Sequence, residues 1–184
     1  MKRSKIRRRL ASSLSEGRIV TVVRDGLDLE RTDGLVVALA DDWVVVHELS
    51  DGVHLDTVVA LRLNEVSRIW FRDDDAYHHR ALQGLGRKPA VFSCADDVDA
   101  AGLLALAADK ADLVSIHFEE LDDEPLALGR LLELRTKKFT LHYLGRDGVW
   151  APQTEDWRFR DVTRIEIGGR YLDALSRFAD PYPA

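Results

Sequence analysis

The chain has 184 residues and a mass of 20.8 kDa; 46% of the residues are hydrophobic and 32% are charged, which is typical of a folded globular protein and excludes a disordered or fibrous one. A single cysteine excludes an internal disulfide and a four-cysteine zinc site within one chain. No apolar run reaches the roughly 18 residues of a membrane span and no secretory signal follows the N-terminus, so we expect a cytoplasmic protein that does not enter a membrane.

The first nine residues carry a strong positive charge. They contain no acid and hold six of the 26 basic residues: Lys2, Arg3, Lys5, Arg7, Arg8 and Arg9. The rest of the chain has 20 basic and 32 acidic residues, so the net charge of −6 conceals a basic arm on an acidic body. Such an arm can bind nucleic acid, a membrane surface or an acidic partner; the alternative is a solubilising helix that neutralises its own domain.

The first half of the chain predicts one helix followed by strands. Ile6, Leu10 and Leu14 recur at spacing four, which indicates a helix over 3–16 that ends at Gly17. Asp-Gly pairs at 25–26, 33–34 and 51–52 predict tight turns. The predicted strands are Arg18–Arg24, Gly34–Ala40, Trp43–Leu49, Thr57–Leu63 and Val66–Arg72, and a short helix over Ala76–Leu82 closes this half.

The second half predicts the same order of elements. Its first helix runs from about Val98 to Lys110, with Asp96 and Asp97 as capping candidates, and its last runs from Arg170 to Phe178. The predicted strands are Leu113–Glu119, Leu126–Leu134, Phe139–Leu144, Trp157–Phe159 and Val162–Ile167. We therefore assign residues 1–86 to a first repeat, 87–96 to a linker and 97–184 to a second repeat.

An internal repeat underlies this order. When the sequence is shifted by 96 positions, the window 51–71 shows seven identities where chance gives about one. The identical residues are Asp51, Gly52, Val53, Arg62, Val66, Arg68 and Ile69 in the first copy and Asp147, Gly148, Val149, Arg158, Val162, Arg164 and Ile165 in the second. Trp43 then falls on Phe139 and, after a two-residue deletion, Tyr77 falls on Tyr171. The repeat predicts a duplicated domain.

A helix followed by five short strands with tight turns predicts a small closed β-barrel. Each copy resembles the Sm-like fold through Val20-x-Val22-x-x-Asp25-Gly26 and Gly34-Leu35, and through the apolar-Arg-apolar step before strand five. That step is Leu61-Arg62-Leu63 in one copy and Trp157-Arg158-Phe159 in the other. The expected fold is mainly β with helices: two Sm-like or SH3-like five-stranded barrels, each with an N-terminal helix, arranged as a pseudo-dimer.

The resemblance also implies how such a protein acts. Sm-like proteins associate through the edges of strands four and five and read RNA bases with an Asn, an Arg and a Gly. Val45 stands at the Asn position of the first copy, and Leu63 and Phe159 replace the Gly, so only Arg62 and Arg158 match. Both arginines also have a simpler interpretation as outward-facing residues that pair with neighbouring acids such as Glu65 or Asp161.

Other reactive side chains form no recognisable catalytic pattern. Asp75 and His79 would share a helix face beside Asp73, Asp74 and His78, which suggests a weak metal site or an acidic helix N-terminus. His47, His54, His117 and His142 have no evident partner, and Cys94 is expected to be a structural thiol. Neither a phosphate-binding loop nor a nucleophile elbow occurs in the sequence.

We therefore expect a protein without catalysis, metal or cofactor that acts through protein-protein interaction or self-association by barrel edge strands. The alternative is RNA or other nucleic-acid binding through the basic arm, with Arg62 and Arg158 as further contacts. A metal-dependent enzyme at Asp75 and His79 is a distant third hypothesis.

Overall fold

A computed structural model describes residues 1–27, 31–51, 53–72, 75–121 and 126–183. These ranges contain ten strands and four α-helices, which confirms the prediction of a mainly β protein with helices. The chain divides into two compact units, Met1–Val98 (unit 1) and Asp99–Ala184 (unit 2). None of the helices within the described ranges is both long and apolar enough to cross a membrane.

Unit 1 contains five antiparallel strands, with one helix before the first strand in sequence and one after the last. Its elements are α1 (Arg3–Glu16), β1 (Ile19–Val23), β2 (Thr32–Leu39), β3 (Trp43–Ser50), β4 (His54–Arg62), β5 (Arg68–Phe71) and α2 (Asp75–Gly84). The strands lie in the order β5-β1-β2-β3-β4. The last strand in sequence thus pairs with the first.

Unit 2 repeats this arrangement. Its elements are α3 (Ala100–Lys110), β6 (Val114–His117), β7 (Leu126–Leu134), β8 (Lys138–Leu144), β9 (Trp150–Arg158), a 3-10 turn (Phe159–Asp161), β10 (Arg164–Ile167) and α4 (Arg170–Phe178). The strands lie in the order β10-β6-β7-β8-β9. Each unit therefore has the same connectivity.

The two faces of each sheet bury different helices. In unit 1, Ile6 and Leu10 of α1 belong to the main core, whereas Leu82 of α2 packs with a smaller cluster around Leu35. In unit 2, α3 buries Leu103 and Leu104, and α4 packs Leu172 and Leu175 against Leu113, Leu128 and Leu144. Burying one such side chain contributes about 1.5–3 kcal/mol, so the apolar spacing of each helix fixes it to its sheet.

Three hydrogen bonds recur at matching places in the two units. The amide of Leu63 donates to Asp42 O at 2.8 Å, and that of Phe159 donates to Lys137 O at 3.3 Å. Ala40 N donates to Trp43 O, and Arg135 N to Lys138 O, each at 2.8 Å. Ser67 N donates to Val23 O, and Thr163 N to His117 O, each at 2.9 Å. The two units therefore share turn geometry as well as strand order.

These contacts correct the single shift of 96 positions. Arg62 pairs with Trp43 and Arg158 with Lys138, so Trp43 corresponds to Lys138 and not to Phe139. In β2 and β3 the shift between equivalent residues is 95 positions. Gly34 pairs with Glu48 in unit 1, and the equivalent Gly129 pairs with Tyr143 in unit 2. In β1 the shift is 94 positions, from Val22 to Ile116. Val22 pairs with Ile69, and Ile116 pairs with Ile165, the residue that corresponds to Ile69. Connecting loops of unequal length account for the drift.

The predicted closure of each barrel is wrong. In the described ranges, no ladder joins β5 to β4 or β10 to β9, so both sheets are open. The turn after β4 is closed by hydrogen bonds from Glu65 N to Arg62 O and from Val66 N to Leu63 O. Ser67 then bonds to the end of β1 and directs β5 to that strand. This strand of four residues pairs with β1 through one edge, and in the described ranges no ladder joins its other edge to β4.

Three local predictions are also wrong. Asp33-Gly34 lies within β2 instead of forming a turn, and a Cβ atom on Gly34 would lie 2.4 Å from the carbonyl oxygen of His47. The cap of α3 is Asp99, whose side chain accepts from Gly102 N at 2.9 Å, and not Asp96 or Asp97. The fourth strand of unit 2 begins at Trp150, well before the predicted Trp157.

Candidate functional site

The basic N-terminal residues belong to a docked helix. Lys2 precedes α1, and the other five lie within it. Arg3 Nη2 donates to Asp42 Oδ1 at 2.6 Å and to Asp41 O at 3.2 Å. The expected arm is thus held against the turn between β2 and β3.

Two further arginines of this helix bind unit 1 itself. The Arg7 guanidinium donates to the carbonyl oxygens of Ala40 at 2.8 Å and Asp41 at 2.7 Å, and that of Arg9 donates to Ile69 O. The carbonyl groups of Ala40 and Asp41 lie beside the β2–β3 turn, and that of Ile69 lies in β5. Each backbone carbonyl oxygen requires a hydrogen-bond donor, which the arginines supply. Arg3, Arg7 and Arg9 therefore help to attach α1 to its sheet.

The remaining three basic residues form an exposed surface. Lys2, Lys5 and Arg8, which we call the basic stripe, recur at spacing three and are exposed. Their side chains make no ion pair or hydrogen bond with the residues that the structure describes. Residues at this spacing lie on one side of a helix, so the stripe presents three cations together.

Arg62 and Arg158 occupy matching positions at the ends of β4 and β9. Arg62 lies with its guanidinium carbon 5.6 Å from the ring centroid of Trp43, its partner in β3. Trp43 is buried, so Arg62 covers a core aromatic side chain as well as presenting a charge. Arg158 is exposed opposite Lys138. That pair places two cations side by side at the edge of unit 2.

The acidic start of α2 serves the fold. Asp75 Oδ1 accepts from Ile19 N at 3.1 Å and lies 3.2 Å from His79 Nε2. Asp73 and Asp74, also considered as metal ligands, lie outside the described residues. Within the described ranges, no group of three His, Cys, Asp or Glu side chains is arranged to hold a metal ion. Asp75 instead joins α2 to the start of β1.

A polar cluster in unit 2 was not found from the sequence. Glu166 Oε1 accepts from His117 Nε2 at 3.1 Å and from Arg164 at 2.7 Å, while His117 Nδ1 lies 3.8 Å from Glu119 Oε1. Burial raises the pKa of Glu166, but hydrogen bonds from His117 and Ser115 and the charge of Arg164 outweigh it and lower the pKa to about 2. Glu166 is therefore an anion held in a half-buried position.

The sequence signal for this cluster is the alternation of polar and apolar residues in two short strands, and it can be interpreted only when the pairing of those strands is known. Ser115 and His117 alternate in β6, and Arg164 and Glu166 alternate in β10. The ladder pairs Arg164 with His117 and Glu166 with Ser115, which brings all four side chains to one face. Alternating polar residues in two short strands predict a shared face but not which strands are neighbours.

Two histidines contact the extended segment that follows the closing helix of their unit. His47 Nδ1 accepts from Ala90 N at 2.9 Å, and His142 Nδ1 lies 3.2 Å from the Tyr182 hydroxyl. Burial lowers the pKa of His47. Burial, with the charge of Asp96, raises the pKa of the half-buried Cys94 thiol, which is consistent with a structural role. These contacts fix parts of 87–96 and 179–183 on their own units.

Neither a protein-family model nor a curated protein matches this sequence. The assignment of function therefore rests on the surfaces described above.

Proposed function

We propose that the chain is a non-catalytic interaction module built from two Sm-like units, and that it binds a second copy of itself through the edge of β9. The shared strand order and the recurring hydrogen bonds support the Sm-like duplication. The resemblance to Sm-like proteins implies pairing between the fourth strand of one unit and the fifth strand of another. The pseudo-dimer arrangement of the two units stays a prediction.

The observation that carries this proposal is the exposed edge formed by β9. This strand has nine residues and pairs with β8, and the strand order of the described residues ends there. The side chains of residues 152–156 are all exposed. A long strand with unpaired backbone groups provides a template for another strand.

The register indicates which backbone groups point outward. Phe159 N donates to Lys137 O, which makes 137 and 159 a hydrogen-bonded pair. Pairs alternate along an antiparallel ladder, so Thr154, opposite His142, and Asp156, opposite Thr140, direct their N–H and C=O groups away from β8. Pro152 lacks an N–H, which limits pairing to the later part of the strand.

The edge of unit 1 offers a strand of suitable length. β5 has four residues, Arg68–Phe71, and lies at the end of its sheet. These four residues are close in length to the five residues from Thr154 to Arg158, which include the outward-facing backbone groups of Thr154 and Asp156. A head-to-tail association would therefore pair β9 of one copy with β5 of the next.

Light scattering after size-exclusion chromatography tests this association over a range of concentrations. We expect the wild-type mass to rise with concentration and Thr154→Pro to remain monomeric, because proline removes an outward N–H without removing a bond to β8. Thr154→Ser is the matched control and should behave as wild type. A wild-type protein that stays monomeric throughout, or a proline variant that associates equally well, would contradict the proposal.

A second candidate function is nucleic-acid binding by the basic stripe, favoured by three exposed cations on one side of α1. Deleting residues 1–9 would also remove the buried Ile6, so substitution is the better test. In a low-salt titration with fluorescent single-stranded RNA, changing Lys2, Lys5 and Arg8 to Ser should weaken binding and reduce its salt dependence. Equal binding by this variant and wild type would remove the stripe from consideration.

A metal-dependent activity at Asp75 and His79 is the weakest alternative, since Asp75 already bonds to the backbone of Ile19. We expect an unchanged melting temperature when divalent cations are added. A rise that disappears in His79→Gln would restore the metal hypothesis.

A further inference from the structure

The outer edge of β5 carries two residues whose backbone groups point away from β1. Arg72 N donates to Ile19 O at 3.3 Å, which makes 19 and 72 a hydrogen-bonded pair. Pairs alternate along an antiparallel ladder, so Phe71 and Ile69, at the alternate positions, direct their N–H and C=O groups outward. A strand added to this edge would therefore bond to Ile69 and Phe71.

One of these outward groups already has a partner from α1. The guanidinium of Arg9 donates to Ile69 O. Arg9 lies next to the buried Leu10 and three residues after the buried Ile6, so its stem starts at the margin of the helix face that packs on the sheet. From there the half-buried side chain reaches the edge of β5. An incoming strand must displace this guanidinium before it can bond to the carbonyl group of Ile69.

The obstruction depends on one side chain and not on the position of the whole helix. α1 is also attached through Ile6 and Leu10, which belong to the main core of unit 1. Arg7 holds it as well, by donating to two carbonyl oxygens beside the β2–β3 turn. Displacement of Arg9 therefore requires rotation of its side chain and the loss of its bond to β5, while α1 stays in place.

We propose that Arg9 guards the edge of β5 and thereby limits the association of one copy of the chain with the next. This role rests on the proposed pairing of β9 with β5, whose strength it sets. Exposed strand edges recruit other strands, and proteins commonly protect them with charged side chains or a covering element. The equivalent helix of unit 2, α3, contains no arginine, so no residue of that helix can act in the same way.

Light scattering after size-exclusion chromatography of the full chain measures the effect of the guard. Arg9→Met keeps a long stem but removes the donor, so that the incoming strand no longer competes for Ile69 O. Association should then occur at a concentration about three- to tenfold lower than in wild type, which is the factor that one hydrogen bond contributes. Arg9→Lys retains a charge and a donor and should fall between wild type and Arg9→Met.

Matched variants separate the guard from other effects of the substitution. Arg7→Met removes bonds that attach α1 but none at β5, and Arg8→Met removes an exposed charge from the same helix. Both should associate as wild type does. The double variant Arg9→Met/Thr154→Pro should be monomeric, because the unguarded β5 still needs the outward groups of β9.

Different results contradict the guard and the association itself. If wild type and Arg9→Met associate at the same concentration and Thr154→Pro abolishes both, the guard is overturned while the pairing of β9 stands. If both stay monomeric at every concentration, the guard and the pairing are overturned together. Equal strengthening by Arg7→Met, or association of Arg9→Met that persists with Thr154→Pro, would place the cause away from the β5 edge and would also overturn the guard.

Discussion

The Thr163 hydroxyl donates a hydrogen bond to the backbone carbonyl oxygen of His117 at 3.0 Å. The same hydroxyl accepts from Glu119 N at 3.3 Å, and the Glu119 carboxylate is a second possible acceptor for its single proton. In unit 1, Ser67 makes the equivalent bonds, to Val23 O at 3.0 Å and from Asp25 N at 3.1 Å. A hydroxyl before the fifth strand therefore joins it to the end of the first strand in both units.

Replacing this hydroxyl should destabilise unit 2. Thr163 is fully buried, and Thr163→Val keeps its shape while leaving Glu119 N without that acceptor. We expect a loss of about 1–3 kcal/mol in the free energy of unfolding, measured with urea. Thr163→Ser retains the hydroxyl and should lose much less. Equal stabilities of the Val and Ser variants would rule out the hydroxyl as the cause.

The helix attachment provides a second prediction. Arg7 donates to two backbone carbonyls, whereas the neighbouring Arg8 is exposed. Arg7→Met should therefore lower the unfolding free energy by about 1 kcal/mol, and Arg8→Met should leave it nearly unchanged. Urea unfolding of the two variants gives the comparison. A similar effect from both substitutions would mean that charge, and not the carbonyl contacts, determines the change.

The His47 contact predicts a pH dependence near neutrality. Its Nδ1 accepts from Ala90 N, Asp56 O lies 3.3 Å from Nε2, and the Asp56 carboxylate is its charged neighbour. Because burial lowers the pKa of His47 below 6.5, the folded state favours the neutral ring. This contribution to stability is complete above pH 6.5 and is lost as the pH falls through the lowered value.

Thermal melts between pH 5 and pH 8 measure this contribution. We expect the wild-type protein to lose stability on acidification from about pH 6.5, and His47→Gln to show a shallower dependence. The exposed His54→Gln is the control and should follow wild type. Parallel pH curves for wild type and His47→Gln would exclude His47 as the titrating group.

Glu166 predicts a separate dependence at lower pH. Its pKa of about 2 lies below the ordinary value of 4.5, so its contribution is complete above pH 4.5 and disappears as the pH falls through 2. The shift corresponds to about 3 kcal/mol. Denaturant melts from pH 5 to pH 2 should show a shallower acid slope for Glu166→Gln than for wild type. An unchanged slope would indicate that His117 and Arg164 do not hold this carboxylate as an anion.

The predicted elements that match the structure have strong local signals. The helix at 3–16 is fixed by Ile6, Leu10 and Gly17, and Gly17 adopts the left-handed conformation at its end. The predicted strand Leu126–Leu134 and helix Arg170–Phe178 have the observed bounds. In these segments the spacing of apolar residues and the residues at the ends indicate the same element, so nearby residues are sufficient to predict its bounds.

The parts that the sequence did not predict depend on distant neighbours. The placement of β5 beside β1 involves the hydrogen bond between Ser67 and Val23, and the Glu166 cluster results from the pairing of β6 with β10. The use of Arg3, Arg7 and Arg9 within unit 1 depends on where α1 meets the β2–β3 turn and β5. A run of basic residues indicates the charge but not how many of those side chains remain exposed.

Amide hydrogen exchange tests most directly whether the outer edge of β9 pairs with another strand. Exchange of the ¹⁵N-labelled chain is compared at low and high concentration. We predict that the Thr154 and Asp156 amides, which point away from β8, exchange much more slowly at high concentration, whereas the Glu155 amide, already bonded to β8, changes little. Equal exchange rates of Thr154 and Asp156 at both concentrations would contradict association through this edge.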